Sequence, residues 1–216
     1  ANLLEKATGE KFIRMEMGVP GMAPSRIGTE AEIEALKHGV AQFYPMLEGY
    51  PVLSEEASRF VKNFMDVDIR PEGIIPTVGA MQASYVAFMA LTECHKGKDT
   101  ILFIDPGFPV QKTQLEVIGK PYQTFDIYEY REEKLEAKLR EYLDRGNIAG
   151  IVYSNPNNPS WVCLTDFELQ VIGKLATEYD TIILEDLAYF AMDFRKDLSH
   201  PGKAPFQPTV AKYTDN

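Results

Sequence analysis

Downstream of about residue 72 the chain alternates between two hydrophobic patterns. Short apolar runs, GIIPTV (73–78), TILFID (100–105), PYQTFDI (121–127), IAGIVY (148–153) and TIILED (181–186), have the length and residue types of strands. Between them, apolar side chains recur at helical spacing. Ala83, Val86, Ala87, Ala90 and Leu91 mark a helix from Gly79, and a second is expected over about 108–118. Leu135, Leu139 and Leu143 give a third, closed by Gly146, and Thr165 is placed to cap a fourth. Strand and helix in regular alternation predict βαβ units. Runs that are apolar on both faces predict a mostly parallel sheet with helices on either side, an α/β fold of three layers, α/β/α.

The first seventy or so residues lack this alternation. MGVPGMAPS (17–25) reads as irregular, and helical patterns near Glu30–Gln42 and Glu55–Met65 flank the corner YPMLEGYP. After Tyr189 the pattern decays into a polar stretch holding Pro201, Pro205 and Pro208, which predicts a long loop.

Composition narrows the function classes. With 45% hydrophobic residues in 216, the chain can bury a sizeable core, and its formal charge of -10 disfavours nucleic acid and anionic membrane surfaces as partners. No apolar stretch is long enough to span a bilayer and no basic-then-apolar leader opens the chain, so a cytoplasmic protein is expected. Cys94 and Cys163 have neither a CxxC nor a histidine partner at metal-binding spacing, which predicts packed thiols and no metal. GxGxxG and GxxxxGK[ST] are both missing, which disfavours dinucleotides and P-loop nucleotides.

In an open α/β sheet, ligands bind beyond the carboxyl ends of the strands. Those ends carry Gly79-Ala80-Met81, small residues where a helix starts and backbone N–H groups face outward, suited to a phosphate. They also carry Phe108 in DPGFP, an aromatic face for a planar ligand, and Asp186, a carboxylate whose burial needs a partner. SNPNNPSW (154–161) is a polar, proline-locked corner in which Asn155 and Asn157 read as turn formers. Glu185 points to the opposite strand face and reads as solvated or paired, while Tyr189 can return over the crevice.

TVGAMQA, DPGFP, NPNNPSW and EDLAY, with MGVPGMAP and YPMLEGYPVL upstream, together resemble the class I/II aminotransferases, fold-type I enzymes that use pyridoxal phosphate. The resemblance covers nearly the whole chain. It implies that residues 1–45 supply an N-terminal segment of the small domain and a dimer arm, and that 46–216 form an incomplete large cofactor-binding domain. The amides of Gly79, Ala80 and Met81 would hold the cofactor phosphate and Phe108 would stack on its ring. Asn158 and Tyr189 would bond its phenolic oxygen, and Asp186 its pyridine nitrogen. Asp186 and Tyr189 are thereby the expected catalytic residues. Tyr44 would reach the phosphate of the neighbouring subunit in a homodimer. Gly18 and Asn158 would lie near the substrate carboxylate. The implied reaction moves an amino group between an amino acid and a 2-oxo acid. A carbon–sulfur β-lyase on the same fold, and a non-catalytic effector domain of a regulator, are the alternatives.

Two departures stand out. Where the family has Asn-Pro-Thr-Gly, this chain has Asn158-Pro159-Ser160-Trp161, which suggests a different loop path. The serine-flanked Schiff-base lysine has no counterpart, since Lys196, Lys203 and Lys212 lack its context, so these residues are expected to be the N-terminal half to two-thirds of a longer enzyme.

Overall fold

The computed structural model describes residues 1–14 and 21–216 and divides into two compact units, Ala1–Pro45 and Met46–Asn216. The first unit holds α1 (Asn2–Thr8) and α2 (Arg26–Lys37), neither of which buries a residue. The second unit contains the sheet. Its elements are α3 (Pro51–Met65), α4 (Gly79–Cys94), β1 (Thr100–Asp105), α5 (Pro109–Ile118), β2 (Tyr122–Asp126), α6 (Glu133–Leu143), β3 (Ile148–Ser154), α7 (Asp166–Glu178) and β4 (Ile182–Asp186). Among the described residues no helix is long and apolar enough to cross a membrane.

The strands pair in parallel, in the order β2-β1-β3-β4. Successive side chains of β1 go to opposite faces. Leu102 and Ile104 join Leu135, Leu139 and Leu143 of α6 and Leu169, Ile172 and Leu175 of α7 in one core. Ile101 and Phe103 join Phe88 and Leu91 of α4 and Leu115 of α5 in the other. The three-layer α/β/α arrangement follows. The three α6 leucines fall on one stripe and are at most 2% exposed, each removal from water contributing about 2 kcal/mol before side-chain ordering is charged.

Several local expectations need correction. The run at 73–78 makes no ladder: Pro76 has no N–H to give, Ile75 and Val78 are exposed, and among the described residues four strands form where five were expected. In α4 the buried face is Ser84, Phe88, Leu91 and Thr92, not the face through Val86. That helix is apolar nearly all round, so spacing could not choose its inner side. Cys94, expected to be packed, is exposed at the end of α4.

The proline-rich tail is also no loose loop. Gly202 N–H donates to Asn63 O (2.8 Å) and Gln207 N–H to Phe64 O (2.9 Å), pinning it to α3. Buried Gln207 donates to Asn155 O (3.3 Å) and accepts from Ala191 N–H (3.1 Å). At Gly173 on α7, an added Cβ would stand 2.7 Å from Tyr213 Cβ, so the tail sits where only glycine lets it approach.

Candidate active site

The chain leaves β1 toward β2 on one side and, through α6, reaches β3 on the other. Their carboxyl ends therefore flank the point where strand order reverses, where a crevice opens in sheets of this kind. A cavity of about 150 Å³ lies there, lined from β3 and β4 by Ser154, Asn158, Asp186, Ala188 and Tyr189. Ala80, Met81 and Ser84 of α4, with Phe108, Val110, Gln111 and Gln114 at α5, complete it. Six of the residues picked from sequence thus meet in one place. Gly79 directly precedes two of them. Tyr44 belongs to the other unit, where it is fully exposed, and Gly18 lies outside the described residues.

Each wall has a local cause. Gly79 starts α4 at φ 75°, which glycine adopts without a Cβ penalty. Its own N–H, expected to face a phosphate, is taken by Thr77 O (2.9 Å), while no side chain caps the helix, so the amides of Ala80 and Met81 are left for a ligand. Phe108 is the N-cap residue of α5, with Pro109 in the first helical position; Pro109 lacks the N–H that would be orphaned there. The β3 corner is locked by its asparagines. Asn157 Nδ2 donates to Pro106 O (2.7 Å) and Ser154 Oγ (3.1 Å), while its Oδ1 accepts from Ser160 N–H (3.1 Å). Asn155 Oδ1 accepts from Leu164 N–H (3.1 Å). Both are turn formers, as expected, but Asn157 also ties the β3 corner to the β1 corner, which local turn chemistry did not suggest. Asn158 is held by its backbone, N–H to Ser154 Oγ at 3.3 Å. Among the described residues, its carboxamide and the Tyr189 hydroxyl have no hydrogen-bond partner.

Asp186 finds its partner in a residue missed from the sequence. Gln111 Nε2 donates to Asp186 Oδ2 (3.0 Å), and Ala188 N–H donates to Oδ1 (2.9 Å). One turn further along α5, Gln114 donates to Met81 O (2.8 Å) and accepts from Ser84 (2.8 Å), bracing the first turn of α4. Phe108, Gln111 and Gln114 are three apart, so one helix face carries the ring, the carboxylate's partner and the brace. That spacing was the available signal.

Behind the strand, Glu185 is half-buried and paired. Its carboxyl accepts from Tyr153 (3.2 Å) and Thr209 (2.5 Å), and burial, only partly offset by these bonds, pushes it up to about 7.

The sequence profile for aminotransferase class I and II matches residues 11–215. The chain belongs to this family. An aspartate aminotransferase of Pyrococcus horikoshii is 30% identical over 210 residues, 95% of this chain and 52% of that protein. A glutamate-pyruvate aminotransferase of Escherichia coli is 27% identical over 84% of this chain and 43% of its own. Among solved structures, an alanine aminotransferase from Pyrococcus furiosus superposes with TM-score 0.77 at 28% identity, over 88% of this chain and 48% of that one. A Mycobacterium tuberculosis aminotransferase shares the fold at TM-score 0.79 and 18% identity, over 98% of this chain and 52% of its own. As an aminotransferase-family chain, it spans about half the length of the relatives it matches.

Proposed function

We propose that the protein carrying this chain is a pyridoxal phosphate-dependent aminotransferase that moves an amino group between an amino acid and a 2-oxo acid, acting in the cytoplasm as a homodimer. One observation supports this most: an open helix N-terminus, an aromatic face, an unpaired carboxamide, an unpaired phenol and a braced carboxylate line a single crevice. Those are the groups that a phosphorylated, planar, hydroxylated pyridine needs. The residues fit the cofactor.

The Ala80 and Met81 amides bind the phosphate, aided by the positive end of α4, with Gly79 shaping the turn before them. Phe108 sets the plane of the ring. The Asn158 and Tyr189 donors hold negative charge on the phenolic oxygen, and Asp186 holds the proton on the pyridine nitrogen. Pyridoxal phosphate held by these residues would supply an electron sink for bond breaking at the substrate's α-carbon. Gln111 keeps Asp186 aimed at that nitrogen, and Tyr44, with its ring free, serves the partner subunit's phosphate. Asn158 also lies where the substrate carboxylate is received.

The test is an assay of the intact protein with cofactor, amino acids and 2-oxo acids. Keto acid formed in step with amino-group transfer is expected. Release of ammonia or thiol without transfer would instead make it a lyase.

A further inference from the structure

Trp161 has a backbone suited to glycine: φ is 59°, a region that L side chains resist. A strained, bulky residue kept beside a site points to a task for its side chain. Its indole meets the Tyr189 ring edge to face, with centroids 5.5 Å apart and planes at 68°. Phe194 stacks on the same indole at 6.5 Å and 21°. The indole's base is fixed, because Trp161 N–H donates to Asn157 O (2.8 Å) and Asn157 N–H to Val162 O (2.9 Å). Among the described residues the hydroxyl of Tyr189 has no partner and no other aromatic ring touches this side chain.

We propose that Trp161 is a positioning residue that fixes the ring of Tyr189 so that its hydroxyl stays over the crevice. This rests on the reading of Tyr189 as a donor to the cofactor's phenolic oxygen. A ring packed edge to face loses rotamers before the cofactor arrives, so the hydrogen bond need not bear the cost of ordering it.

The experiment follows the visible absorption of the bound cofactor against pH in the intact, loaded protein. Tyr189→Phe removes a bond that favours the anionic oxygen, so the absorption midpoint rises by about one unit. Trp161→Gly is expected to raise it in the same direction by about half as much, and Trp161→Phe, which keeps a ring against Tyr189, to restore it. In the Tyr189→Phe background, Trp161→Gly is expected to add nothing. Glycine suits the backbone at this position, so folding is retained. Phe194→Ala, which loosens the indole without touching the corner, raises the midpoint by a smaller amount. A midpoint that Tyr189→Phe moves and Trp161→Gly does not, or an equal Trp161→Gly effect with and without the tyrosine hydroxyl, overturns the positioning role. A midpoint unmoved by Tyr189→Phe overturns the reading of Tyr189 beneath it.

Discussion

Asp186 is held from two directions, by its own loop at Ala188 and by α5 at Gln111. In the proposed reaction its charge acts on the ring nitrogen, so Asp186→Asn keeps the shape and removes the proton's partner. The expected loss is at least about a hundredfold in kcat/KM with an unchanged far-ultraviolet spectrum. Gln111→Leu leaves the carboxylate with one donor fewer, and cofactor affinity should fall roughly tenfold, read by equilibrium titration. The two residues also differ in how far sequence could reveal them. A carboxylate closing an apolar strand demands an explanation, and so drew attention. A glutamine on a helix carries no charge to account for, and its importance emerges only once the crossover brings α5 beside β4. Glu185 shows the reverse failure: strand alternation gave its face correctly, but the tail segment that buries it could not be placed from a polar, proline-rich stretch.

At the scale of elements, α7 was the most legible. Thr165 accepts from Glu168 N–H (3.2 Å) while Glu168 accepts from Thr165 N–H (2.9 Å), a reciprocal cap whose residue spacing is visible in sequence. Thr165→Ala should destabilise the intact protein by about 1 kcal/mol in urea unfolding. The same glutamate, with a fully buried side chain, is gripped by Arg131 at 2.5 and 2.7 Å. Burial pushes the Glu168 carboxyl up, but Arg131 and two backbone N–H groups outweigh it and hold it below its usual range. Arg131→Met strands that charge and should cost roughly 3 kcal/mol in the same measurement; Glu168→Gln, which keeps the acceptor, should cost less. The α6 leucine stripe was equally readable because polar residues fill its other face. The run at 73–78 and the α4 face were not, the one because strand-like residues still need a neighbouring strand, the other because uniform apolarity has no direction.

At the scale of the molecule, the sheet's order decides where chemistry can occur, and that order rests on pairings between runs tens of residues apart. Sequence supplied the layers and the strand ends. It could not supply the reversal at β1 and β3, which the alternation of elements leaves open. The buried network behind the sheet gives the fold a pH signature. Glu185 titrates near 7 folded against an ordinary 4.5, so the folded state binds a proton more tightly than the unfolded one. Its contribution is full below pH 4.5 and is lost as pH rises toward 7, on the order of 3 kcal/mol at most. Glu185→Gln should flatten this part of the melting-temperature profile, and an unchanged slope between those limits would rule the network out as its source.

The central claim is that the crevice at the β1–β3 reversal holds pyridoxal phosphate. Its most direct test is a crystal structure of the intact protein grown with that cofactor. The account predicts the phosphate on the amides of Ala80 and Met81, the ring against Phe108, and the pyridine nitrogen within hydrogen-bond distance of Asp186. Cofactor bound away from these residues, or a ring nitrogen facing any group other than Asp186, would contradict it.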